Sequence, residues 1–192
     1  MFMNATSIKI PPKELYTYDD YARLPEGAPY QLIGGKLVMT PSPSTFHQFV
    51  LVRLLGHLLN YQAKENKGAV LVSPLDVYFN QEETFQPDII FISKERSHII
   101  EHNKINGAPD LVVEILSPST AYYDLRKKYR VYERYGVKEY WIVDPEDETV
   151  EIYLNHDGRF LMHQHVKRQG VASSVILDGF NVELAELFRQ MS

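Results

Sequence analysis

Residues 109–128 read PDLVVEILSPSTAYYDLRKK. Residues 111–116 are apolar except for one, Glu114. An ionised carboxylate inside an apolar strand costs on the order of several kcal/mol unless a charged group meets it. The pattern then turns helical and carries Asp124, Lys127 and Lys128. Asp124, Lys128, Val131, Tyr132 and Tyr135 fall at i, i+4, i+7, i+8 and i+11, one helix face, and its apolar residues direct it to a sheet. Lys127 aligns instead with Tyr123, Arg130 and Arg134 on a charged face. Lys128 is therefore the lysine expected to point inward. An exposed Asp124–Lys128 pair, contributing about a few tenths of a kcal/mol, is the plainer reading of the helix alone. The buried acid at 114 weighs against it.

Upstream, residues 86–92 read QPDIIFI, placing Asp88 at the entry to a second apolar strand. Such an Asp often satisfies only local backbone N–H groups. Likewise Glu114 needs no more than a salt bridge to Lys128 or an arginine. Taken together, two acids on two buried strands with a lysine on the next helix suggest a metal site with a cationic helper. Hard cations such as Mg²⁺ or Mn²⁺ accept one or two carboxylates and complete their shell with water and phosphate.

The rest of the chain frames this site. Its 192 residues suit one domain, residues 1–192, with residues 1–15 as an extended arm behind Pro11-Pro12. A short helix is expected over residues 16–24, capped by Thr17. A hairpin follows over residues 30–39, turning at Gly34-Gly35. A helix over residues 46–64, capped by Ser44 or Thr45, would bury Val50, Leu51, Leu54, Leu55, Leu58 and Leu59. Strands are expected over 69–79, 88–92 and 111–116, then a helix over 121–135 ending at Gly136. A strand over 139–145, a hairpin turning at Asp157-Gly158, a short strand over 175–177 and a helix over 184–189 complete the chain. This order implies an α/β fold with a mixed central sheet flanked by helices and with added N-terminal and C-terminal β-hairpins.

Composition excludes some classes. The chain has no cysteine, which rules out disulfides and thiolate metal sites and is compatible with a reducing cytoplasm. No apolar run reaches membrane-spanning length, and the first residues do not resemble a secretion signal, so neither membrane insertion nor export is expected. A net charge of −5 argues against coating nucleic acid non-specifically, though not against a nuclease whose site a metal makes locally positive.

The ordered blocks resemble the PD-(D/E)XK nuclease superfamily, and more closely the Uma family of restriction-endonuclease-like proteins. They are YQLIGGKLV at residues 30–38, PSPSTFHQ at 41–48, QPD at 86–88, PDLVVEILSPST at 109–120, and the run from Asp124 to Pro145 with its DxxxK start and its GVKEYWIVDP end. The resemblance covers most of the chain. It implies a Mg²⁺- or Mn²⁺-dependent DNA endonuclease, with Asp88, Glu114 and the backbone carbonyl of Ile115 as metal ligands. Lys128 is the implied catalytic lysine, orienting water or stabilising transition-state charge. Its alanine variant is expected to lose activity and keep the fold. Cutting both strands would favour a homodimer.

Two departures stand out. The superfamily lysine lies two residues after the acid, where this chain has Leu116; a lysine from the following helix substitutes. The hairpin acid is Gln31 here. An uncharged residue there predicts weaker metal binding or lost cleavage, and supports an alternative: a nuclease-fold binding or scaffolding module. His47, at the helix start, could meet phosphate or act as a base, and is as well explained as an ordinary helix-start residue. Asp76 could support the site or face solvent. Tyr132 is expected to pack the helix. His163 and His165 alternate on one strand face but lie in a polar hairpin, so exposed histidines are expected rather than a metal pair. No Walker or dinucleotide glycine pattern is present.

Overall fold

The structure is a computed structural model that describes residues 12–25, 27–117 and 123–189. A short helix α1 (Tyr18–Tyr21) precedes the hairpin β1 (Tyr30–Ile33) and β2 (Lys36–Met39). The long helix α2 (Thr45–Glu65) follows, then β3 (Gly68–Val72), β4 (Val77–Asn80), β5 (Glu83–Phe85) and β6 (Ile89–Ser93). After a 3₁₀ turn (Lys94–Ile99) come β7 (Ile105–Asn106) and β8 (Leu111–Ile115). A π-helical turn (Tyr123–Lys128) runs into α3 (Tyr129–Tyr135), which leads to β9 (Glu139–Asp144). The chain ends in β10 (Thr149–His156), β11 (Arg159–Lys167), β12 (Val171–Ser173), β13 (Asn181–Glu183) and α4 (Leu184–Leu187).

The central sheet has six strands in the order β11-β10-β9-β8-β6-β3. Within this sheet, among the described residues, only β8 and β9 pair in parallel, as a helical crossover requires. All five residues of β8 and five of the six in β9 are buried, which explains their nearly unbroken apolar sequence. One face of the sheet packs on α2 and the C-terminal segment through Val113, Trp141, Leu54 and Phe180. The other face packs on α3 through Val112, Tyr140, Ile142 and Tyr132.

A second sheet, β2-β1-β5-β4-β7, lies against that second core. Of the two added hairpins, the N-terminal one belongs to this separate layer, whereas the β10–β11 hairpin extends the central sheet. The expected strand over residues 69–79 is two strands in different sheets, since β3 pairs with β6 and β4 with β5 and β7. The break contains Pro74, which has no N–H to give a ladder. Residues 175–177 are not a strand. The Val175 and Ile176 amides donate instead to Glu139 Oε2, at 2.8 and 3.1 Å.

Local chemistry agrees elsewhere. Gly34 and Gly35 have φ of 59° and 69°, as a two-residue hairpin turn needs. Ser44 Oγ accepts the His47 amide and caps α2. Val50, Leu51, Leu54 and Leu58 are buried, Leu55 is half-buried, and Leu59 lies outside the stripe at 49 % exposure. The expected start of the third helix at residues 121–122, and most of the expected arm, lie outside the described residues.

Asp110 ties one end of the central sheet. Its carboxylate accepts the Ser93 amide at 2.8 Å and meets Arg96 and Lys138 at 3.2 and 2.7 Å. Burial pushes its carboxyl up, but Lys138, the Ser93 amide and Arg96 outweigh burial and hold it below the usual carboxylate value. A depressed folded-state pKa contributes stability above the unfolded value, near 3.9, that is lost as pH falls through the folded one. Asp110→Asn should therefore lower stability by about 1–3 kcal/mol at neutral pH and flatten its decline below about pH 4. Urea melts across pH 2–7 check both effects.

Candidate active site

The buried acid in β8 finds its cation. Lys128 Nζ donates to Glu114 Oε1 at 2.9 Å, and both side chains are only 4 % exposed. Tyr132 donates its hydroxyl to the same oxygen at 2.6 Å. Lys128 and Tyr132 share the inward helix face, whereas Lys127 is exposed. Tyr132 is thus more than packing. Its place one turn after Lys128 was visible in the sequence, but its apolar neighbours disguised a hydroxyl aimed at a carboxylate.

Asp88 sits where β6 begins. β6 pairs with β8 from Ile89 opposite Val113 onward, so the Ile115 amide has no ladder partner on that side. Asp88 Oδ2 fills the gap, accepting that N–H at 2.7 Å. The same oxygen lies 3.3 Å from His47 Nε2, which the first turn of α2 delivers. Asp88 therefore does satisfy a backbone amide, and that bond fixes its carboxylate beside Glu114.

A cleft of about 400 Å³ gathers Gln31, His47, Asp88, Glu114, Ile115 and Lys128 on its walls. Thr40, Gln86 and Ser117 line it too, none of them expected as site residues. Gln31 is buried, with its Oε1 accepting the Gln86 amide at 2.9 Å and its Nε2 donating to Thr40 Oγ1 at 3.2 Å. Asp76 does not line the cleft. It accepts from Gln86 Nε2 at 2.9 Å and from the Tyr21 hydroxyl at 2.7 Å, bracing the segment that presents Asp88. The side chain of Asp124 lies outside the described residues.

His163 and His165 are exposed, and a bulge opposite Ile152 and Tyr153 breaks their expected alternation. His165 pairs with Glu151 at 3.3 Å.

The cleft fits a small hard cation. It offers two carboxylates on neighbouring strands, the minimum for a Mg²⁺ that keeps several waters. Among the described residues no three His, Cys, Asp or Glu side chains converge, so the donors do not form a full protein cage. Among the described residues no helix is long and apolar enough to cross a membrane.

A mixed sheet flanked by helices, as seen here, is a restriction-endonuclease-like fold. The chain belongs to the Uma2 family, whose model, described as "putative restriction endonuclease", matches residues 18–185. An uncharacterized protein of Synechocystis sp. is 25 % identical over 125 residues, 64 % of this chain and 70 % of that one. The crystal structure of "a putative nuclease belonging to DUF820" from Anabaena variabilis superposes with a TM-score of 0.73 at 21 % identity. It covers 90 % of this chain and 97 % of its own, a likeness of fold.

Proposed function

We propose that the chain is a metal-dependent endonuclease that hydrolyses phosphodiester bonds in DNA. The observation that carries the reading is the buried Lys128–Glu114 pair in the same cleft as Asp88. A buried ion pair is weak as a stability device, because desolvation offsets its attraction, so its place in a polar cleft asks for another role.

Asp88 and Glu114 are the side chains that would hold Mg²⁺ or Mn²⁺, with the Ile115 carbonyl as a backbone candidate. A divalent ion held there would supply Lewis-acid polarisation of a phosphate oxygen and would lower the pKa of water toward neutrality. The chain's own groups do the rest. Lys128, anchored by Glu114, presents fixed positive charge to the cleft, where charge develops on the phosphate oxygens. His47 and the Ile115 amide hold the Asp88 carboxylate in one orientation. Gln31 and Asp76 hold Gln86, two residues before Asp88. A two-fold dimer would bring a second cleft to the opposite strand of a duplex.

Gln31 favours a second reading, a binding or scaffolding module that keeps the nuclease fold without cutting. Its hydrogen bonds to Gln86 and Thr40 give it a positioning task that needs no charge. Calorimetric titration with Mn²⁺ separates the readings. The wild type should bind one or two ions per chain, and Asp88→Asn should bind at least about tenfold more weakly. Absence of binding at millimolar Mn²⁺ would favour the scaffold and overturn the endonuclease.

A further inference from the structure

We propose that the outer face of the lysine-bearing helix is a docking surface for the phosphate backbone of nucleic acid entering the cleft. The partner's identity rests on the nuclease reading; the surface itself does not. Residues 123–135 present opposite faces with opposite characters. Lys128, Val131 and Tyr132 turn inward and are buried, while Arg126, Lys127, Arg130 and Arg134 are all exposed.

These four cations sit on a chain of net charge −5, so their clustering does not follow from composition. Among the described residues no ion pair ties any of them to an acid. Glu133, on the same helix, is engaged elsewhere: its Oε1 accepts the Phe160 amide at 2.8 Å. Burial raises the carboxyl of Glu83, while Lys127 and Arg134 reach it electrostatically and act in the opposite direction. That carboxylate is itself committed to the Gly34 amide at 2.9 Å.

Like charges four apart on a helix repel by a few tenths of a kcal/mol, as Arg126, Arg130 and Arg134 do. Against these four cations a shallow groove along the helix sets one acid, Glu133, whose Oε1 is already engaged by the Phe160 amide, and the remaining repulsion is left for an anionic ligand to relieve. The span from Arg126 to Arg134 is about 12 Å at 1.5 Å per residue. That is the length of about three to four nucleotides along a duplex at 3.4 Å each. Arg126 and Arg130 edge that groove, which Leu125, Tyr129 and Glu133 line. Lys127 precedes Lys128, which lines the cleft, so one helical segment carries both the stripe and the lysine of the site.

The test is fluorescence anisotropy of a labelled 30-base-pair DNA duplex, in EDTA so that nothing is cut, over a series of salt concentrations. The full chain is compared with the triple variant Arg126→Ala/Arg130→Ala/Arg134→Ala. A control removes as much charge elsewhere, at Lys64, Lys94 and Arg189, which are exposed. Each lost phosphate contact should flatten the slope of log K against log salt by about 0.9. The stripe variant should therefore lose about two to three units of slope and bind at least about tenfold more weakly at 100 mM salt. The control should lose less than about one unit.

Equal losses in the two variants would overturn the proposal. So would a polyglutamate chain displacing the duplex at equal charge concentration, which would mark an acidic-protein surface. Metal-dependent cleavage by the wild type with an unchanged slope in the stripe variant would sink the stripe alone. A flattened slope in a protein that never cuts would support the stripe and sink the nuclease reading.

Discussion

Lys128→Ala is expected to abolish cleavage and also to destabilise the fold. The second effect departs from the expectation, drawn from sequence, that the fold would be spared. Lys128 and Glu114 are each 4 % exposed and 2.9 Å apart, so removing the ammonium strands a buried carboxylate. Breaking a buried pair on one side costs about 3–5 kcal/mol. Tyr132 still donates to Glu114 and tempers the loss. Removing a preorganised charge at the reacting phosphate costs about a hundredfold to a thousandfold in rate.

A second variant separates the two losses. Lys128→Met with Glu114→Gln leaves no stranded charge and should recover most of the stability, since neutral replacements of buried pairs are often harmless. It should remain inactive. Urea melts read the first property and plasmid nicking the second. Cleavage by Lys128→Met/Glu114→Gln would show that neither charge serves the reaction.

The other large effect is structural. Glu139 is fully buried at the start of β9. Its Oε1 accepts the Trp141 indole N–H at 2.6 Å and its Oε2 accepts the Val175 and Ile176 amides. Each buried donor left unmatched costs about 1–3 kcal/mol. Glu139→Ala should therefore cost about 3–5 kcal/mol, with water entering to meet part of the loss. Trp141 is the chain's single tryptophan, so a change in its emission reports directly on this contact. A melt and an emission spectrum matching the wild type would show that the 175–176 segment is held some other way.

The site was more legible than the layers around it. Glu114 announced itself because a carboxylate in an apolar run has few exits, and helix periodicity separated Lys128 from Lys127. That separation survived a π-helical turn over Tyr123–Lys128, since the inward face is set by Val131 and Tyr132 in the α-helical part. Asp88 could not be placed from spacing alone. What fixes it is a backbone N–H left over where β6 stops short of Ile115, a feature of register. The second sheet was illegible for a related reason. Its strands are two to four residues long, and beyond the hairpin at Gly34-Gly35 it is closed by the long-range pairings of β1 with β5 and β4 with β7, which alternation cannot signal. Pro74 did carry a readable warning against a single strand over residues 69–79. Glu139 reads as an ordinary strand polar residue until the distant amides it serves are known.

Whether Asp88, Glu114 and Lys128 form a working phosphodiesterase site is decided by relaxation of supercoiled plasmid in Mg²⁺ or Mn²⁺, with the wild type beside Glu114→Ala. The wild type should nick the plasmid, EDTA should stop it, and Glu114→Ala should fail to cut. Equal nicking by both proteins, or none by the wild type in either metal, would contradict that assignment.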